Sequence, residues 1–227
     1  MNLKKTIKTI KSRIDSAQER GGFDHPVQLT AVTKTHPFTL IENCYKAGIT
    51  SIGENRVQEA AGKFGSFELM PNITRRFIGH LQTNKVNKCL ELFQTIDSVD
   101  SIKLARRINE RAKVLDRNVP VLLEINTSGE IQKHGFAPQN TKDMIASIKL
   151  DNLDVIGLMT MGPKTNEEKR IRNAFKKLRA LKDLLNKTSG LKDLTELSMG
   201  MSGDYEIAVE EGSTMVRIGT ALFGKRS

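Results

Sequence analysis

Lys34 is the residue whose type and position most clearly suggest chemistry. It ends an apolar, strand-like run over residues 27–33, and the residues after it, Thr35 to Pro37, break that pattern. A lysine in this position is carried on a rigid strand and points from the carboxyl end of a sheet toward a pocket built by loops. A lysine amine in a partly dry pocket loses its proton more easily and can form a Schiff base with an aldehyde.

Polar residues recur at the ends of nearly all the later strand-like runs. Because the carboxyl ends of parallel strands meet on one face of a sheet, we expect these residues to surround Lys34. In order, they are Glu54, Asn55, Arg56, His80, Gln82, Thr83, Asn84, Lys85, Asp97, Ser98, Asn126, Thr127, Ser128, Thr160, Ser198, Ser202, Arg217 and Thr220. The pattern predicts a ring of hydrogen-bonding groups around a single lysine.

The last two groups of this ring have the composition of an anion cradle. Residues 198–203 are rich in glycine and hydroxyl side chains and lead into a predicted helix over residues 204–211. A helix start offers backbone amide donors and the positive end of the helix dipole, which suit a phosphate. Gly219 and Thr220 add a second small segment at the neighbouring strand end. A simpler interpretation, in which Ser202 only caps the helix, is compatible with the first.

A lysine beside a phosphate cradle indicates pyridoxal phosphate (PLP), whose aldehyde bonds to lysine and whose phosphate needs such donors. Arg217 would then lie near the cofactor ring. Unlike an aspartate, an arginine that faces the pyridine nitrogen does not readily accept its proton, so the ring stays neutral and is a weaker electron sink. The alternative is a structural arginine that donates hydrogen bonds to loop carbonyls.

The elements that must position these residues follow a regular alternation. An apolar stripe of Leu3, Ile7, Ile10, Ile14 and Ala17 predicts a leading helix that ends at the two glycines 21–22. After it, eight strand-like runs alternate with seven helical segments. The strands are predicted over residues 29–33, 49–53, 76–79, 93–96, 119–125, 155–159, 196–199 and 215–218, and the helices over 40–47, 56–63, 84–92, 102–115, 141–149, 167–185 and 204–211.

This alternation predicts a parallel sheet covered by helices, in the α/β class. Eight strands favour a single (β/α)8 TIM barrel over residues 1–227, with the additional N-terminal helix filling the eighth helix position. An open, doubly wound sheet is the competitor. It would need fewer strands, and no Gly-x-Gly-x-x-Gly motif follows the first run.

Composition narrows the class of function. The 227 residues carry a formal net charge of +10, with basic residues spread over several predicted helices. No nucleic-acid motif accompanies them and the chain has no tryptophan, so we expect solvated helix faces and treat RNA binding as a minor alternative. No secretion signal or membrane-spanning run is evident, and Cys44 and Cys89 fall in helical patterns typical of buried thiols. These features favour the cytoplasm.

Several segments resemble the pyridoxal-phosphate homeostasis proteins, which are related in fold to the barrel domain of alanine racemases. The matching segments are residues 31–37, 52–59, 77–85, 133–136, 157–161, 197–202 and 212–224. The resemblance departs at Arg75 and Arg76, where the family often has an aromatic residue followed by histidine. It also departs at His134, where the family commonly has a small residue.

The resemblance implies a barrel that holds PLP as a Schiff base on Lys34. It further implies phosphate contacts from Ser202, Gly219 and Thr220, and Arg217 directed toward the pyridine nitrogen. Asn55 and the 199–201 stretch, including Met199, would line the pocket.

The choice between an enzyme and a cofactor handler depends on a second base. In the resembling racemases a tyrosine supplies it, from an additional carboxyl-terminal domain that we expect to be absent because this chain ends at Ser227. The tyrosines here, Tyr45 and Tyr205, fall in predicted helices, although Tyr205 lies close to the cradle in sequence.

His80 and Asp97 are the remaining candidates for acid–base chemistry, and both can equally be structural. We therefore expect a monomeric protein that buffers PLP or delivers it to PLP-dependent apoenzymes. A PLP-dependent amino-acid racemase is the alternative.

Overall fold

The strands form a closed parallel barrel. The computed structural model describes residues 2–130, 132–190 and 193–224, and within them eight strands pair in sequence order, with β8 returning to β1. The strands are β1 (Gln28–Val32), β2 (Ser51–Glu54), β3 (Thr74–Phe77), β4 (Thr95–Val99), β5 (Val119–Glu124), β6 (Leu153–Met159), β7 (Glu196–Ser198) and β8 (Met215–Ile218). Closure is carried by the pairing of Thr30 with Arg217 and of Ala31 with Ile218. The predicted barrel is confirmed.

Helices follow the strands in the predicted alternation. They are α1 (Leu3–Gly21), α2 (Phe38–Lys46), α3 (Val57–Lys63), α4 (Val86–Leu92), α5 (Ile102–Val114), α6 (Thr141–Ile148), α7 (Glu168–Ser189), α8 (Tyr205–Glu210) and α9 (Thr220–Phe223). A short 3-10 helix (Thr83–Lys85) precedes α4, where the sequence had indicated a single helix.

The leading helix covers the seam at which the barrel closes. Ile7, Ile10, Ile14 and Ala17 of α1 are buried in one cluster with residues of β1, β8 and α8. Asn2 caps the start of α1 by accepting a hydrogen bond from the Lys5 amide, 3.2 Å away. The helix therefore occupies the eighth position around the barrel, as its apolar stripe predicts.

Polar side chains from strands β1 to β4 lie together in the interior of the barrel. Phe77 packs outward against Phe93 of the main apolar core, so its neighbour Arg76 points inward. The Arg76 guanidinium donates to both carboxylate oxygens of Asp97 at 3.1 Å and to Gln28 Oε1 at 3.2 Å. Arg76, one of the two residues at which the chain departs from the resembling family, is therefore one half of a buried ion pair.

The cysteines are two separate buried thiols, as predicted. Burial raises the pKa of Cys44 to about 12 and raises the pKa of Cys89 further, so both stay protonated. Among the described residues, we find no helix whose length and apolar character would allow it to cross a membrane.

Candidate functional site

A cavity of about 440 Å³ opens where the strands end at the carboxyl-terminal face of the barrel. Lys34, Asn55, Ser202, Arg217, Gly219 and Thr220 line it, which brings together six of the seven predicted site residues. Its wall also contains Met201, from the predicted 199–201 stretch, and four residues that the sequence did not assign to the site: His36, Glu124, Met159 and Met161. A cofactor role for the six residues stays a prediction.

Strand alternation directs Lys34 into the cavity. Val32 at the end of β1 and Lys34 two residues later both line it, because residues two apart share one face of an extended chain. Thr33 between them points the other way, and its hydroxyl donates to Glu54 Oε1 at 2.5 Å. Thr35 then turns the chain with a positive φ of 67°, a conformation that residues other than glycine seldom adopt.

A buried lysine holds the backbone on either side of Lys34. The ammonium group of Lys63 donates to the Thr33 carbonyl at 3.0 Å, to Glu54 at 2.5 Å and to Glu59 at 3.3 Å. Glu59 accepts in turn from the Thr35 amide at 2.5 Å. Burial raises the pKa of Glu54, and the hydrogen bonds from Lys63 and Thr33 oppose that rise. This group, which the sequence analysis missed, fixes the direction in which Lys34 leaves the strand.

Ser202 joins the two segments of the predicted cradle. Its hydroxyl oxygen accepts from the Gly219 amide at 3.3 Å and from the Ala221 amide at 3.1 Å. A hydroxyl has two acceptor sites and one donor, so both acceptor sites are used and the hydrogen remains to be donated. Ser202 therefore binds the start of α9, rather than capping α8 as the simpler interpretation had it. It can donate a hydrogen bond to an acceptor such as a phosphate oxygen.

Arg217 makes the structural hydrogen bonds that one of the two alternatives predicts, and it also lines the cavity. Its Nη1 atom donates to the carbonyl of Ser198 at 2.8 Å and to the Ser198 hydroxyl at 2.6 Å, and Nη2 donates to the Thr160 carbonyl at 2.8 Å. These bonds use three of the five donors of a guanidinium. Arg217 is therefore a buried arginine fixed by loop carbonyls that also forms part of the cavity wall. Burial lowers its pKa, and Asp97, Glu124 and Asp204 oppose that fall.

Asn55 is positioned by a close backbone contact. A Cβ atom on Gly79 would lie 2.2 Å from the Asn55 carbonyl oxygen, so only glycine fits there. The Gly79 carbonyl accepts from the Ser98 hydroxyl at 2.6 Å, which ties the loop after β3 to β4. The backbone of Asn55 is thereby held at the cavity wall.

Met199 does not line the cavity, which corrects the expectation drawn from the resemblance. Ser198 points inward to Arg217, so Met199 points outward and is buried in the main apolar core. Gly200, with a φ of 96°, then turns the chain, and Met201 reaches the cavity instead.

The candidate second bases lie in different places. Tyr205 packs against α1, where its ring lies 6.0 Å from the Arg13 guanidinium carbon, and Tyr45 packs beside the cluster of Ile41 and Ile52. Asp97 is paired with Arg76 inside the barrel. His80 alone of these four lines the cavity, and its Nδ1 atom lies 3.0 Å from Asp100 Oδ2.

Glu124 is the titratable group that the sequence analysis missed. It is the last residue of β5, is 4% exposed and lines the cavity. Burial raises its pKa to about 7; the negative charge of Asp100 adds to the rise and Arg217 opposes it. A carboxylate that ends an otherwise apolar strand is the signal that would have found it.

Comparison with known proteins agrees with this geometry. Residues 6–227 match the protein family described as alanine racemase, N-terminal domain. The pyridoxal phosphate homeostasis protein of Aquifex aeolicus is 40% identical, with 100% of this chain and 99% of the relative covered. That of Pseudomonas aeruginosa is 40% identical over 97% of this chain and 94% of the relative.

A solved structure has the same fold. PipY of Synechococcus elongatus PCC7942, determined with PLP bound, superposes with a TM-score of 0.84 at 34% identity, covering 98% of this chain and 100% of PipY. The chain therefore belongs to the alanine racemase N-terminal domain family, and within it to the pyridoxal phosphate homeostasis proteins.

Proposed function

We propose that the chain binds PLP reversibly at the mouth of the barrel and serves PLP homeostasis, by buffering the cofactor or delivering it. The observation that carries the proposal is that Lys34 and the cradle of Ser202 and Gly219 line one cavity. When bound, PLP supplies an aldehyde that bonds reversibly to a lysine amine and a phosphate that needs hydrogen-bond donors. The close relatives that carry the homeostasis name, and PipY with PLP bound, support the assignment.

The donor set fits this cofactor. Ser202 has a hydroxyl hydrogen to donate, and Gly219 and Thr220 bring backbone close to it with little side-chain bulk. Arg217 adds a buried positive charge to the same wall, which favours an anionic ligand. The cavity, about 440 Å³, is of the size that small-molecule sites usually have.

Handling of the cofactor is better supported than turnover of an amino acid. Racemisation needs proton-transfer groups on two sides of the substrate. Both tyrosines of the chain pack elsewhere, and His80, the candidate base that lines the cavity, lies beside Asp100, with its Nδ1 atom 3.0 Å from Oδ2. An arginine at the ring would also weaken the cofactor as an electron sink. In this proposal Lys34 retains the cofactor and an incoming amine releases it by exchange.

We further propose that the protein acts as a monomer in the cytoplasm and passes PLP to apoenzymes. Among the described residues, the large exposed apolar side chains are Leu69, Val114, Leu184 and Met201, which come from separate helices and loops rather than one segment. The buried protonated thiols suit a reducing compartment.

A transfer experiment tests the proposal. Protein loaded with PLP and freed of excess cofactor is mixed with a PLP-dependent apoenzyme, and recovery of that enzyme's activity is followed with time. The same loaded protein is incubated with a panel of L-amino acids, and formation of D-amino acids is measured. We expect recovery that depends on Lys34 and no turnover. Turnover that disappears in Lys34→Ala would identify a racemase-like enzyme instead.

A further inference from the structure

A second group of side chains at the mouth has the composition of a metal site. His80 follows β3, Asp100 follows β4 and His134 lies in the loop after β5, so three neighbouring strand ends contribute one residue each. One potential ligand atom from each residue lies within 4.8 Å of the other two. Because β4 lies across the barrel from β8, this group stands opposite the cradle.

The two imidazoles lie close to the same carboxylate oxygen. Their rings stack with centroids 3.8 Å apart and planes 13° apart. Nδ1 of His80 lies 3.0 Å from Asp100 Oδ2, and Nδ1 of His134 lies 3.9 Å from that same oxygen. Two ring nitrogens and one carboxylate oxygen thus lie close together. Because the lone pair of an imidazole nitrogen lies in the plane of its ring, the stacked rings must turn before both can bind one ion, and their partial exposure leaves room for that rotation.

A hydrogen bond to its second oxygen holds the Asp100 carboxylate in place. Its other oxygen, Oδ1, accepts from the Ser101 hydroxyl at 3.0 Å, and Ser101 caps the start of α5 through the Leu104 amide at 3.3 Å. Outer hydrogen bonds of this kind orient first-shell ligands in metal sites. The Asp100 side chain is 11% exposed, whereas those of His80 and His134 are 45% and 55% exposed, so an ion can enter from solvent.

We propose that His80, Asp100 and His134 bind a divalent transition metal of the Zn²⁺ class, with a fourth position left for water or another ligand. Two imidazoles and one carboxylate suit Zn²⁺ better than Mg²⁺ or Ca²⁺, which prefer oxygen ligands. The bound ion would join the loops after β3, β4 and β5. Both histidines line the cavity, so the ion would stand at its entrance. The proposal does not depend on PLP binding.

Calorimetric titration of the protein with ZnCl₂ tests this site. We expect saturable binding of about one Zn²⁺ per chain, reversed by EDTA. We expect His80→Ala and His134→Ala each to weaken binding roughly tenfold or more, since losing an outer-sphere partner alone has effects of that size. His25→Ala is the matched control, because His25 contacts the Ser213 carbonyl far from the cluster and should leave the affinity unchanged.

Two further measurements keep the result interpretable. The titration is repeated in Lys34→Ala, since a cofactor at Lys34 could itself chelate Zn²⁺; unchanged affinity there assigns the binding to the histidines. Zn²⁺ should also raise the melting temperature of the wild type and not that of His134→Ala. Absence of saturable binding, or equal affinity in His80→Ala, His134→Ala and His25→Ala, would overturn the proposal and leave a stacked histidine pair hydrogen-bonded to Asp100.

Discussion

The two sides of the cavity mouth are built from different kinds of group. The cradle half, at the ends of β7, β8 and β1, comprises Lys34, Ser202, Arg217 and Gly219, and hydrogen bonds to backbone fix its cradle residues. The histidine half, at the ends of β3 to β5, comprises His80, Asp100, Glu124 and His134. In the histidine half, burial raises the pKa of Glu124 to about 7.

This difference suggests that the two halves of the cavity mouth have different roles. Backbone amides and a hydroxyl offer the same donors at any physiological pH, which suits retention of a phosphate. The buried carboxylate of Glu124, whose pKa is raised to about 7, responds to pH, which suits modulation of whatever the cradle half holds. Single substitutions should therefore act differently in the two halves.

The largest effect on stability is expected from Lys63→Met, which removes the support beneath the cradle half. The side chains of Lys63 and Glu54 are 9% and 0% exposed, so the variant would leave Glu54 buried without its cationic partner. Breaking a buried pair in this way costs about 3–5 kcal/mol of unfolding free energy. Urea denaturation measures it.

Lys88→Met is the matched control, because Lys88 and Glu91 form an exposed pair whose loss should change stability by less than about 1 kcal/mol. Equal stability of the two variants would show that the Lys63 group does not support the backbone around Lys34.

A smaller, pH-dependent effect is expected from Glu124→Gln in the histidine half. The folded-state pKa of Glu124 is raised from 4.5 to about 7, so the folded protein binds a proton that the unfolded chain has released. The corresponding stability is fully present below about pH 4.5 and is lost as the pH rises through about 7. It amounts to up to about 3 kcal/mol.

Unfolding free energies measured at pH 5 and pH 8 distinguish Glu124→Gln from the wild type. The variant should lack this loss and should exceed the wild type in stability at pH 8. Parallel pH profiles would contradict a raised pKa at Glu124.

The smallest effect is expected from Ser202→Ala. Losing one hydrogen bond to a charged phosphate should weaken PLP retention by roughly 1–3 kcal/mol, which is roughly five- to 150-fold in Kd. Ser128→Ala serves as control, since the Ser128 hydroxyl bonds to Asn126 Oδ1. Equilibrium dialysis measures both, and equal retention would remove Ser202 from the cradle.

The barrel, and the gathering of the strand-end residues around one cavity, could be predicted from the chain itself, because strand alternation and strand-end polarity are local patterns. Lys34 and Arg217 were found in this way, and α1 was found from its apolar stripe. Met199 was assigned to the wrong side because the turn at Gly200 decides which methionine reaches the cavity.

The remaining features depend on contacts between distant residues. His80 and His134 are far apart in the chain, and nothing local indicates that their rings stack. Arg76 and Asp97 lie on different strands, and only the folded barrel brings them together as an ion pair. Lys63 ends α3, and no local pattern distinguishes it from other lysines; its nearly buried side chain beside Glu54 is what marks it.

Whether Lys34 binds PLP is tested by borohydride reduction of the PLP-loaded protein, followed by peptide mass spectrometry, with Lys34→Ala as the comparison. We expect a visible absorption band that reduction removes, a phosphopyridoxyl group on Lys34, and neither feature in the variant. A label on another lysine, or a protein that stays colourless with added PLP, would contradict the assignment of Lys34 as the cofactor-binding residue.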